Sequence, residues 1–195
     1  MTTDLTVLSE ASYVVDDETD IDVVAREALL DRAMGVGRRR KSSEKLRRGR
    51  VPSAGLAFVA RNGAGQVIGS VRLWDVSAGN LPLLLLGPLA ADPSVAGQGI
   101  GTSLMRHAIA RARQLRHGAI VLVGDAPYYS RFGFAADKTG GLMMPGPVER
   151  DRFLGLDLDP GYLDAATGLL LPRGRPVNPA PSCRQQPLVP FIRTA

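Results

Sequence analysis

The sequence is poor in the residues that build disulfides and metal centres. Its 195 residues include one cysteine, Cys183, and two histidines, His107 and His117. One thiol cannot close an internal disulfide or furnish a cysteine-based metal site. No apolar run is long enough to span a bilayer. The longest, near Leu81–Ala91, is broken by Pro82, Gly87 and Pro88, and a span needs about 20 residues. The N-terminus carries Asp4 and Glu10 and lacks the basic-then-apolar order of a signal peptide. These absences lead us to expect a cytoplasmic protein without a membrane partner. Lysine is also scarce, three against 21 arginines. Compositional bias of the source accounts for that ratio as well as any arginine chemistry does.

What is present is enough apolar material for a core. Hydrophobic residues are 45% of the chain, and a domain of this length removes roughly 70% of its unfolded surface from water. The net charge of +5 comes from one place. Residues 38–50 hold eight basic residues and one acid, Glu44, which leaves the other 182 residues slightly acidic. The first 25 residues carry seven acids and no Lys or Arg. The protein is therefore near-neutral with one cationic segment.

Periodicity divides the chain. Residues 4–8 fit a first strand. Thr19 or Asp20 can cap a helix that runs to Met34 and stops at Gly35 and Gly37. Ser42 or Ser43 can cap a short helix through Arg48. Residues 56–61 and 66–76 alternate as strands, separated by Asn62-Gly63-Ala64-Gly65, a hairpin turn whose residues tolerate positive φ. Leu81–Ala91 is apolar on both faces and so belongs in mid-sheet, with pairing interrupted at Pro88. A helix is expected over about 102–117, with Leu104, Ala108, Ala112 and Leu115 as its apolar stripe. A buried strand at 119–123, a one-turn helix over 127–131 capped by Asp125, and a strand at 153–157 follow. Residues 1–171 are expected to form one domain, and 172–195, with six prolines, an extended tail.

The chemistry points to residues 83–117, a strand, a glycine-rich turn and a helix. Gly97, Gly99 and Gly101 let backbone approach a ligand closely. The helix aims unpaired N–H groups and its positive dipole end at that turn, which suits phosphate. By itself the turn is equally a tight strand-to-helix connection. The Gly-Lys-Ser/Thr of a nucleotide P-loop is absent, and the spacing is not G-x-G-x-x-G.

The segment from Leu86 to Thr102, LGPLAADPSVAGQGIGT, resembles motif A of the GNAT (GCN5-related) N-acetyltransferases. The later VGDAPYYSRFGF, Val123–Phe134, resembles motif B of that family. Its Val-Gly-Asp opening is similar to the YhbS-like branch. The resemblance covers roughly residues 4–158. It implies a mixed α/β fold: a central, mostly antiparallel sheet with helices on both faces. It implies acetyl-CoA as acetyl donor, attacked directly by a primary amine, with no metal and no covalent enzyme intermediate. Leu89, Ala90 and Ala91 would face the pantetheine. Gln98, Gly99, Ile100, Gly101 and Thr102 would hold the pyrophosphate, with Arg131 on a phosphate. Tyr129, four residues before Gly133, would be the general acid. The motif's Gln/Arg position is Ala96 here, which removes one ligand or brace.

No titratable residue lies on the 83–91 strand to serve as base. Asp75 is one candidate; Glu149 and a water relay are others. His107 and His117 fit solvated positions on the helix. The cationic segment reads first as a solvated face, open to pairing with the acids of 16–22, next as steering for an anionic acceptor, and last as a nucleic-acid surface. A CoA-binding module without transferase activity is an alternative to the enzyme, and a homodimer is an open alternative to the monomer.

Overall fold

The computed structural model describes residues 13–177. The expected strand at 4–8 and all but the first residues of the proline-rich tail lie outside that range. An eight-stranded sheet forms the centre. Its strands are β1 (Tyr13–Asp17), β2 (Ala57–Asn62), β3 (Val67–Ala78), β4 (Leu81–Ala91), β5 (Ala119–Val123), β6 (Leu142–Met143), β7 (Phe153–Asp157) and β8 (Gly168–Pro172). The main path runs β1-β2-β3-β4-β5-β7, with β8 paired to β3 and β6 to β8. Pairing is antiparallel except between β4 and β5 and between β6 and β8. The fold is thus the mixed α/β, mostly antiparallel arrangement expected from the sequence.

Alternation along the strands builds two layers. Phe58, Ala60, Val71, Leu73, Leu84 and Leu86 turn to one face and meet α3 (Ile100–Gln114) through Ile100, Leu104, Met105 and Ala108. Trp74, Val76, Leu83 and Leu85 turn to the other, with Leu46 of α2 (Glu44–Arg47). Leu29 of α1 (Val23–Met34) packs with Val59 and Val67 on that second face. Ala112 completes the α3 stripe, but Leu115 falls beyond the helix end and is exposed. The short α4 (Ala126–Tyr129) follows β5.

Two devices shape β4. Val71 pairs with Leu89 and Leu73 with Leu86, so β4 spends three steps where β3 spends two. The extra residue is a bulge at Gly87-Pro88, which follows from proline having no N–H to donate. On the other side β4 pairs with β5 only at Leu84–Ile120 and Leu85–Val121. Past those pairs the two strands part, although β4 continues to Ala91.

The cationic segment is folded onto α1 by ion pairs. Arg38, buried, donates to Asp31 at 2.8 Å and to Glu27 at 2.5 Å. Arg39 reaches Glu27 at 3.1 Å, and Arg47 bonds Glu44 at 2.6 Å. The acids of 16–22 have other partners: Asp22 accepts from Arg61 at 2.7 Å, and Glu18 sits between Arg26 and Arg72. The expected pairing of the basic segment with residues 16–22 is therefore corrected. Glu27 and Asp31, one turn apart on α1, are nearer to the loop that returns from its C-terminus. Chain packing also extends past the expected boundary at 171. Arg173 and Gly174 N–H donate to the Asp75 carbonyl, Val51 N–H to Arg175, and Val177 N–H to Gly49, each at 2.9 Å.

Gly69 shows how tightly α3 is seated. A Cβ there would lie 2.6 Å from Ile100 and 2.9 Å from Leu104. Gly69→Val should therefore lower stability by about 1–3 kcal/mol, the usual cost of overpacking, read as a shift in the urea unfolding midpoint at unchanged m-value.

Candidate active site

The parting of β4 and β5 opens a cleft of about 680 Å³. Leu89, Ala90 and Ala91 form one wall, and Val123, Gly124 and Asp125 the other. Gly97, Gly99, Ile100, Gly101 and Thr102 close one end, while Tyr128, Tyr129 and Arg131 line the side toward α4. The open flank of β4 leaves backbone groups facing the cleft, a ready partner for an amide-bearing chain.

The turn owes its shape to a few residues. Asp92 starts it by accepting from Ser94 N–H at 3.0 Å. Gly97 and Gly99 have φ of +84° and +78°, a conformation that glycine adopts without a Cβ clash. Gly99 occupies the cap position of α3, so the N–H groups of Ile100, Gly101 and Thr102 begin the helix without intrahelical acceptors. Arg32 of α1 clamps the turn from outside, bonding Asp92 at 2.7 Å. That bond, with those from Ser94, holds the Asp92 carboxyl down at about 2.

At the other end Tyr129 lies over Gly124, where a Cβ would come within 2.1 Å of its ring. Its ring packs edge-on against Tyr128 at 4.9 Å and Phe134 at 6.0 Å. Burial, reinforced by Tyr128, pushes the Tyr129 phenol up to about 12. The Tyr128 hydroxyl reaches the first turn of α3, 2.7 Å from where a Cβ on Gly101 would sit. Arg131 stacks on the Tyr128 ring at 4.1 Å. Asp125 stands at the cap position of α4, but its side chain makes no cap hydrogen bond. Its carbonyl accepts from Tyr128 and Tyr129 N–H instead.

The structure brings together Tyr129, Leu89, Ala90, Ala91, Gly99, Ile100, Gly101, Thr102 and Arg131 on one cleft. Gln98 is exposed in the turn and is not on the cleft wall. Asp75 is not brought to the cleft. It pairs with Leu84, five residues back along β4 from Leu89 or about 17 Å of strand, and lies between Leu73 and Val76 on the run toward β8. There it faces His117, whose pKa is lowered by burial and partly restored by Asp75. His107 is exposed at the rim of α3, with its ring against Phe58 at 4.6 Å.

Sequence reasoning missed Met34, Lys41 and Arg152 on the cleft wall. Lys41 belongs to the cationic segment of residues 38–50. Only the fold, which swings that segment across the end of β5, places it there. Among the described residues no cluster of three His, Cys, Asp or Glu could hold a metal, and no helix is long and apolar enough to cross a membrane.

Comparison with known proteins bears on the family and the fold. Residues 53–136 match the family model for the GNAT acetyltransferase domain. An Escherichia coli protein named uncharacterized N-acetyltransferase YhbS is 32% identical over 155 residues, covering 78% of this chain and 92% of the relative. The crystal structure of E. coli YhbS in complex with CoA superposes with a TM-score of 0.72 at 29% identity, over 84% of this chain and 91% of that one. A GNAT family acetyltransferase from Brucella melitensis in complex with acetyl-CoA gives 0.60 at 25% identity, over 84% and 97%.

The Asp92 clamp predicts an acid-sensitive component of stability. A carboxyl lowered on folding contributes stability that is fully present above its ordinary value near 3.8 and lost as pH falls through about 2. Asp92→Asn should flatten the pH dependence of the melting temperature in that window while leaving the fold intact by circular dichroism.

Proposed function

Given that the chain belongs to the GNAT family of N-acetyltransferases, we propose that it transfers acetyl from acetyl-CoA to a primary amine by direct attack on the thioester. The observation that carries this reading is the cleft itself. It has a glycine turn with free helix N–H groups at one end and a half-buried tyrosine at the other. The neutral amides of residues 99–102 suit a pyrophosphate, because fixed N–H dipoles stabilise its charge without needing counterions. The open flank of Leu89–Ala91 suits the amides of pantetheine. Ala96 offers no side chain to the phosphates, and the amides and Arg131 do that work here.

In the reaction the amine nitrogen bonds the acetyl carbon, the C–S bond breaks, and its electron pair leaves on sulfur. Tyr129, protonated up to about pH 12, presents a hydroxyl to that sulfur throughout the neutral range. A free thiol is the stronger acid, near 8.5, so Tyr129 keeps its proton and stabilises the developing thiolate by donating a hydrogen bond to it. Of the carboxylates considered for the amine's proton, Glu149 suits the role better than Asp75. It lines a second cavity that shares Lys41, Val123 and Arg152 with the cleft.

The alternatives fare less well on specific grounds. For nucleic acid, Arg38, Arg39 and Arg47 of the basic segment are already engaged by carboxylates. A CoA-binding module would leave Tyr129 only its packing against Tyr128 and Phe134.

Tyr129→Phe should lower kcat by about 100-fold while acetyl-CoA affinity, measured by calorimetry, stays within twofold; unchanged turnover removes the assigned role. Gly124→Ala should produce a similar loss of kcat, since its Cβ would displace the Tyr129 ring.

A further inference from the structure

Two cavities border the CoA cleft on the face of α1 and α2, and charge separates them. One, of about 420 Å³, lies between α1, α2 and Trp74. Most of its arginines already have carboxylate partners: Arg38 and Arg39 on Glu27, Arg47 on Glu44, Arg72 on Glu18. The other, of about 580 Å³, lies between residues 40–43 and the loop 147–152. Its cations are Arg40, Lys41 and Arg152, and none has a carboxylate partner among the described residues. Arg152 makes a single long bond, 3.4 Å, to the Gly124 carbonyl. The one acid on the wall, Glu149, is likewise unpaired among the described residues.

This second cavity is fixed in place. Ser42 Oγ donates to the Pro147 carbonyl at 2.5 Å and Lys45 Nζ to the Pro145 carbonyl at 2.9 Å. The cationic segment is thereby fastened to the opposite loop. Gly146 fits beneath these two bonds; a Cβ there would lie 2.9 Å from Ser42 Oγ. The cavity continues into the CoA cleft through Lys41, Val123 and Arg152.

We propose that this cavity is the acceptor site and that it selects a small primary amine bearing an oxyanion, carboxylate or phosphate, a few atoms from its nitrogen. The proposal rests on the transferase reading and deepens it. Three unpaired cations confined in one concave site produce a positive potential that attracts an anion and repels a polycation. Glu149 is the single group there able to hold the ammonium end and take its proton. The acceptor then lies with its oxyanion toward Arg40 and Arg152 and its nitrogen toward Glu149 and the cleft. Cadaverine-like diamines are excluded by the same field.

The test uses two matched pairs, phosphoethanolamine with ethanolamine and β-alanine with β-alaninamide, assayed by thiol release with the full-length protein. The expected result is a kcat/KM at least tenfold higher for the anionic member of one pair. Arg40→Ala is the informative variant, because Arg40 is exposed and lines only the acceptor cavity. It should raise KM for that anionic amine about fivefold to tenfold, leaving kcat and acetyl-CoA affinity unchanged. An independent measurement is calorimetric titration of inorganic phosphate into the CoA-saturated protein, where Arg40→Ala should weaken binding by a similar factor. Turnover of the neutral amines with equal kcat/KM, or a KM indifferent to Arg40, overturns the acceptor class and leaves the transferase standing. Tight acetyl-CoA binding with no turnover of any amine overturns both.

Discussion

Everything functional in this molecule depends on two parallel strands ceasing to pair. β4 and β5 share only Leu84–Ile120 and Leu85–Val121 before they separate. A sheet normally satisfies its backbone groups from strand to strand, and an internal opening leaves a row of them free. The other flank of β4 stays paired with β3 through Ala91, so the opening is rigid on one side. The bulge at Gly87-Pro88 bends β4 away where the pairing ends. The neighbouring Trp74 braces that bend, donating its indole N–H to the Gly87 carbonyl at 2.5 Å. On the proposed reading, an amide-bearing substrate would complete a sheet that the chain leaves open there.

The ionic network on the α1 face holds the second half of the site. Glu18 bridges Arg26 and Arg72, and Glu27 gathers Arg26, Arg38 and Arg39. Buried charges stay ionised only when paired and hydrogen-bonded, so these residues specify one arrangement of α1 against the basic segment. Arg32 extends the same helix to the glycine turn through Asp92. One helix thereby positions both the glycine turn and the rim of the neighbouring cavity. A stretch that composition shows merely as excess positive charge is divided by the fold into neutralised and free cations.

How far the sequence revealed this varies with the range of the interactions. Strands β2 to β5, α3 and β7 were legible because each carries its own local pattern: a hairpin turn, an apolar run with Pro88, an i, i+4 stripe. Tyr129 and the glycine turn were legible through two ordered motifs. β6 and β8 were not. Leu142–Met143 is too short to show a period, and Gly168–Pro172 is bounded by residues that ordinarily break strands. Asp75 looked suitable because it stands at the end of a strand, but which end faces the cleft is set by register with Leu84. Lys41 and Arg152 lie 111 residues apart and meet only after β5 and β7 are laid side by side. No spacing rule encodes such a meeting.

The last described residues close a loop of another kind. Val177 and Arg175 are tied to Gly49 and Val51, and Arg50 donates to the Gly174 carbonyl at 2.5 Å. These residues, which follow β8, thus anchor the far end of the same segment that borders the cavity beside the cleft. The C-terminal side of the domain therefore helps to hold the wall of that cavity through residues that do not line it.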